Sequence, residues 1–226
     1  MKLFKQTLVA ASLAGAAIAA TPAAAQVSGN IAVANAPATI AFSNALNTAY
    51  QQINTTYASQ ITQLQQKSQQ RQALVQPFDT DGDGQLNQTE VQAYQSTTQA
   101  QQVQALDQEL AQISNQLDAA RVYAIEQVLQ QYGTALQGVI SQNNIVAVLS
   151  PDSTIWSNPA ANINQKVLDS MNAAPAAVQV TPPQDWQPSQ QAVAAFQQVQ
   201  QIRMIAAARQ AQAQQQQQQP AQPSGR

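Results

Sequence analysis

Between Asp79 and Glu90 the sequence places oxygen donors at the spacing a calcium ion requires. Calcium is a hard cation that takes about six to eight oxygens, and a 12-residue EF-hand loop supplies them from fixed positions. Here Asp79, Asp81 and Asp83 occupy the first, third and fifth positions, and Gly84 at the sixth permits the sharp turn. Gln85 at the seventh offers its backbone carbonyl, Asn87 at the ninth acts through a water, and Glu90 closes the sphere with both carboxylate oxygens. Leu86, at the eighth, is expected to point into apolar packing. The competing reading is a polar turn rich in Asp and Gly, but it requires ligands, turn glycine, apolar residue and closing Glu to coincide. A calcium ion is therefore the expected cofactor. The chain holds no second loop to pair with this one. Its expected affinity is weak, at the roughly 10⁻⁴–10⁻³ M of extracellular modules, unless subunits pair their loops.

No other constellation carries chemistry. The chain has no His and no Cys, and no Ser-based triad, so an enzyme is not expected. Asp107, Glu109, Asp118 and Glu126 fall along a solvated helix face, while Tyr50, Tyr57 and Tyr132 fall on apolar stripes and read as core. Charge is sparse, with Lys, Arg, Asp and Glu at 9% of residues, and Gln does most of the polar work. No basic patch exists that could release counterions from a nucleic-acid backbone, so nucleic acid is not an expected partner.

The elements that must position the loop are long helices. Leu46, Tyr50, Ile53, Tyr57, Ile61 and Leu64 recur at three- and four-residue steps, and neither Pro nor Gly interrupts the leg between Thr39 and Gln76. That stripe predicts one helix of about ten turns. Beyond the loop, Leu106, Leu110, Ile113, Leu117, Ala120 and Ala124 keep heptad spacing, and Val128, Tyr132 and Leu136 continue it. The second leg is the longer, and Ser96-Thr97-Thr98-Gln99 has capping-box spacing, so a break is expected there. Residues 39–143 thus read as an antiparallel helical hairpin with the loop near its tip.

Short strands flank the hairpin. Ile31 and Val33 alternate with small residues inside 26–38, and Ile145-Val146-Ala147-Val148-Leu149 is a continuous apolar run bounded by turn residues. Ser153-Thr154-Ile155-Trp156-Ser157 is expected to pair with that run as a hairpin, and Pro159 to start a helix through Ile163, Val167, Leu168 and Met171, completing a unit over 144–174. The predicted fold class is mainly α with a small β body, a long helical arm projecting from a three-strand element.

The ends read as an address and a tail. Lys2 and Lys5 precede a mainly apolar run from Leu8 to Ala20, and Ala23-Ala24-Ala25 supplies small residues for signal cleavage before Gln26. Residues 1–25 are thus an expected signal peptide, and no later run approaches the about 20 apolar residues a membrane crossing needs. Residues 175–188 are Pro-rich and expected to be an extended linker, 189–213 a further helix, and 214–226 a Gln/Pro-rich disordered tail.

The order strand, helical hairpin, two strands, helix resembles the Skp/OmpH family of periplasmic chaperones. The carrying residues are Asn30 to Asn35 at the first strand, Asn144 to Asp152 and Ser153 to Asn158 at the next two, and Ile163 to Met171 at the closing helix. The resemblance spans about 28–173, with the calcium loop as an insertion. It implies a homotrimer in the periplasm whose arms form a cavity that holds unfolded outer-membrane proteins without ATP. Basic arms belong to that family pattern, whereas these are Gln-rich and net acidic, so electrostatic capture of clients is not carried over. Two other functions fit the sequence: a calcium-responsive exported binding module, and a structural coiled-coil component of the envelope.

Overall fold

The computed structural model describes residues 29–174 and 177–218. The expected signal peptide lies outside the described residues. Strand β1 (Asn30–Val33) pairs in parallel with β2 (Ile145–Leu149), in the register Ile31 to Ala147, Ala32 to Val148 and Val33 to Leu149. The chain between them is the arm, so the crossover that a parallel pair always needs is here over a hundred residues long. Asn144 adopts φ 49° at the entry to β2, a left-handed conformation that Asn tolerates better than most side chains.

Helix α1 (Ala36–Ala41) starts on an Asn35 cap with Pro37 in its first turn. The first leg then continues as α2 (Asn44–Thr56) and α3 (Ala58–Val75). This corrects the expectation of one unbroken helix from Thr39 to Gln76. Neither interruption needs Pro or Gly. At the first, buried Ser43 caps α2 by accepting from the Leu46 amide at 3.2 Å while its hydroxyl donates to the Ile40 carbonyl at 2.9 Å. At the second, Thr55 Oγ1 donates to the Gln51 carbonyl at 3.1 Å, a back-bond that bends helices, and the β-branched pair Thr55-Thr56 weakens helix propensity at the same point. The chain kinks at Tyr57 (φ −106°, ψ 22°) and resumes at once.

After the loop come α4 (Gln88–Gln95) and α5 (Thr98–Gln142). The break falls at Ser96-Thr97, with Thr97 rather than Ser96 as the cap, its hydroxyl accepting from the Ala100 amide at 3.2 Å. At 1.5 Å per residue, the 45 residues of α5 extend about 68 Å. Its acids meet the bases of α3 in antiparallel order, Lys67 with Glu109 and Arg71 with Asp107.

The sheet is smaller than expected. Among the described residues the third strand is absent: Pro151–Ser153 is a 3₁₀ turn and Thr154 to Ser157 is irregular, with Ile155 and Trp156 exposed. In its place β1 makes a single bridge, Val33 with Asn162. Pro159 starts only a 3₁₀ turn (Pro159–Ala161), and α6 (Asn164–Ala173) follows it. Helix α7 (Gln190–Gln218) runs beyond residue 213, so 214–218, expected to be disordered, is helical. The Pro-rich segment before it is extended yet packed, with Val178 and Val180 inside the same core as Leu46, Ile125 and Val167.

Candidate functional site

The loop joins the far ends of the two legs. Gln76–Phe78 form a 3₁₀ turn that closes α3, and the Phe78 ring packs edge-on against Tyr94 of α4 with centroids 5.3 Å apart. That aromatic contact closes the base of the loop from both sides. Within it, one ligand atom from each of Asp79, Asp81 and Asp83 lies within 4.8 Å of the others. Two glycines make this convergence possible. Gly82 (φ 73°) and Gly84 (φ 83°) occupy the left-handed region, where a side chain is strained.

Backbone amides order the carboxylates. Asp79 accepts from the Gly82 amide at 2.8 Å and the Gly84 amide at 2.9 Å, one through each oxygen. Asp81 accepts from the Asp83 amide at 3.3 Å and Asp83 from the Gln85 amide at 2.8 Å. The Asn87 side-chain amide reaches Asp81 Oδ2 at 3.4 Å, tying the ninth position to the third.

Glu90 stands apart from this cluster. It is buried, and its carboxylate accepts from the Thr80 amide at 2.6 Å, the Thr80 hydroxyl at 2.5 Å and the Asn87 amide at 3.0 Å. These bonds, the Thr80 hydroxyl first, hold its carboxyl below the usual range. Asn87 in turn accepts from the Thr89 and Glu90 amides, so Asn87 and Glu90 form a capping box that starts α4. Neither Thr80 nor this box was part of the ligand pattern in the sequence, although Asn-x-x-Glu before a helix is itself a capping signal.

The structure therefore brings Asp79, Asp81 and Asp83 together, places Asn87 beside them, and assigns Glu90 to the helix cap. The donor set is all oxygen and mostly anionic, which fits a hard divalent cation. Leu86 does not enter closed packing. It is half-buried and lines an open cleft of about 610 Å³ with Arg71, Val75, Asp79 and Gly84. Asp107 and Glu109 are spent in ion pairs across the arm, Asp118 pairs with Arg121, and Glu126 is engaged by the C-terminal segment.

Comparison with known proteins places this architecture. The family model for outer membrane proteins (OmpH-like) matches residues 30–171. The chain belongs to the OmpH-like family. The matched span runs from β1 through the arm to α6, so it holds the sheet, both legs and the loop, and stops short of the packed C-terminal segment. A crystal structure of an OmpH-like protein from Caulobacter crescentus CB15, described provisionally as an outer membrane chaperone, is similar over 84% of this chain and 99% of its own, at 18% identity and a TM-score of 0.35. A search of curated proteins finds no significant match.

Proposed function

We propose that this chain is a periplasmic holdase: a homotrimer whose arms surround unfolded outer-membrane proteins without ATP, with a calcium ion clipping each arm near its tip. Membership of the OmpH-like family across the whole arm-and-body span carries the reading. The distribution of burial supports it. In the first leg, Ile40, Ala41, Ala45, Leu46, Ala49, Ile53 and Tyr57 are buried at the body end, while α3 beyond them buries no residue fully. On the second leg the only apolar residues that the outer arm buries are Val103 and Leu106, so it seals little apolar surface and grips a chain loosely along its length. Outside the loop its surface is close to neutral, and Lys67 and Arg71 are already paired with Glu109 and Asp107 across the two legs, so contact with the client is polar and apolar more than ionic.

A trimer is supported by what the sheet leaves open. Parallel strands normally have both faces covered, and two strands alone are marginal in water. Here Ile31 is 54% exposed, Val146 49% and Trp156 81%, and Leu149 and Ile155 are also exposed. Copies of the same chain would cover this surface. No helix among the described residues is long and apolar enough to cross a membrane.

The test uses the mature protein. Its mass by light scattering is expected to be three protomers, and it is expected to slow aggregation of a β-barrel protein diluted from urea with no nucleotide present. A protein that neither trimerises nor slows aggregation would sink this reading. A second reading, the calcium-responsive binding module, is favoured by the convergent carboxylates. It predicts that client binding appears only with calcium. For the ion itself, calorimetry should give saturable heat that Asp79→Ala abolishes, and heat unaffected by that substitution refutes the site.

A further inference from the structure

The segment after the family-matched region does more than return to the body. From 177 onward it crosses the root of the arm and bonds to both legs at one level. On the first leg, the Tyr57 hydroxyl donates to the Val180 carbonyl at 3.3 Å. On the second, Gln127 makes a paired contact with Gln179: its side-chain amide donates to the Gln179 carbonyl at 2.8 Å, and its carbonyl accepts the Gln179 amide at 2.9 Å. One turn of chain later the Trp186 indole donates to Glu126 Oε2 at 2.8 Å and packs edge-on against Tyr123, with ring centroids 5.2 Å apart. Val178 and Val180 bury their side chains between these ties.

Helix α7 then pins the other discontinuity of the first leg. Arg203 donates through Nη1 to the Ala41 carbonyl and to Asn47 Oδ1, each at 2.9 Å, and its guanidinium lies 4.9 Å over the Tyr50 ring. Ala41 ends α1 and Asn47 lies in the first turn of α2, so one side chain bridges the Phe42-Ser43 break. Ala192, Ala195 and Val199 bury the start of the same helix.

The level of the crossing is informative. Tyr57 is the kink between α2 and α3, and it also marks where full burial of the first leg ends. We propose that residues 177–203 are an intramolecular clasp that fixes the pivot of the arm at Tyr57, holding α2 and the facing part of α5 as one rigid root while α3, the loop, α4 and the outer part of α5 that pairs with α3 move together as the free arm. The clasp is a property of this chain's C-terminal segment and needs no client or calcium to operate.

Hydrogen exchange of the mature protein tests it. Removing residues 175–226 is expected to raise exchange at least tenfold at 50–60 and 118–130, while β1 and α6 keep their protection. The milder pair Tyr57→Phe and Gln127→Ala leaves the apolar packing in place. Tyr57→Phe is expected to raise exchange at the same two stretches by about fivefold, the change in equilibrium that one lost hydrogen bond carries, and Gln127→Ala, which removes both bonds to Gln179, by more than that. Wild-type exchange at 50–60 in both point variants overturns the proposal. So does a rise in those variants that extends equally to α6, which would indicate general loosening. If the truncated chain does not fold, the point variants decide alone. Loss of aggregation suppression with unchanged exchange would bear on the chaperone reading and leave the clasp refuted.

Discussion

A pair of leucine truncations measures how unequally the arm and its root are held. Leu46 is fully buried in the core of the root, whereas Leu64, also on the apolar stripe, is only partly buried in α3. Replacing a fully enclosed Leu by Ala costs about 2.7–5.0 kcal/mol, because the lost transfer energy is joined by a cavity that neighbours cannot refill. At Leu64 water already reaches part of the side chain, no closed cavity is left, and the cost falls to about 1 kcal/mol from area alone. With a urea slope of about 2 kcal/mol per M for a chain of this size, Leu46→Ala is expected to lower the midpoint by about 1.4–2.5 M and Leu64→Ala by about 0.5 M. Far-UV circular dichroism gives the midpoints, compared at one protomer concentration because assembly shifts apparent stability by mass action. Client holding discriminates further. Leu64→Ala is expected to weaken aggregation suppression while the protein stays folded. Equal midpoint shifts at the two positions would refute the division into a sealed root and a loose arm.

Other perturbations bear on the remaining claims. Val146→Asp combined with Trp156→Ser places a charge on the exposed face of the sheet and a hydroxyl on the exposed segment that follows it, and is expected to reduce the mass in light scattering to one protomer. Asn87→Ala removes the N-cap of α4 and costs about 1 kcal/mol, read as faster amide exchange confined to 88–95. The Glu126 carboxyl is held below its ordinary value of 4.5 chiefly by the Ser189 side chain; burial opposes this, and the Trp186 indole adds a lesser lowering. Its folded value being depressed, this contribution is complete above pH 4.5 and is lost as pH falls through the lower folded value. Trp186 fluorescence in a Trp156→Phe background is therefore expected to change on acidification below pH 4.5, and Glu126→Gln is expected to remove that change.

The arm was legible because its signal is repetitive. Steps of three and four residues over many turns cannot be mistaken for a strand, and capping chemistry marked the break after α4 to within one residue. What the stripe could not register were bends that precede or preserve it. Ser43 and Thr55 redirect the helix through side-chain hydrogen bonds to carbonyls three or four residues back, and the apolar positions keep their phase across Thr55 while the stripe begins only after Ser43. The third strand failed for the opposite reason. Ile155 and Trp156 have strand-like side chains, but an apolar pair signals burial somewhere, and within one chain these two remain exposed. The C-terminal segment was read from its prolines as a spacer. Its valines at 178 and 180, two residues apart, were the available sign that it lies along a surface.

The loop carries two patterns written in the same residues, and their overlap bears on how an ion would act. Asn87 and Glu90 satisfy a capping box as completely as they satisfy the ninth and twelfth positions of a calcium loop. The bonds from Thr80 and Asn87 to Glu90 start α4, and Phe78 meets Tyr94 across the base of the loop. Bidentate ligation by Glu90 would exchange those bonds for metal oxygen contacts and would draw the start of α4 toward Asp79, Asp81 and Asp83. Were the proposed ion to take both Glu90 oxygens, the helix cap would be its competitor, and the angle between α3 and α4 would follow occupancy. Thr80 sets the strength of that competition through its hydroxyl. Thr80→Ala is therefore expected to tighten calcium in calorimetry by several-fold, since a charge-assisted hydrogen bond is worth about 1.5–3 kcal/mol and part of it is recovered from water. Weaker binding in that variant would show that Thr80 shapes the site for the ion and does not compete with it.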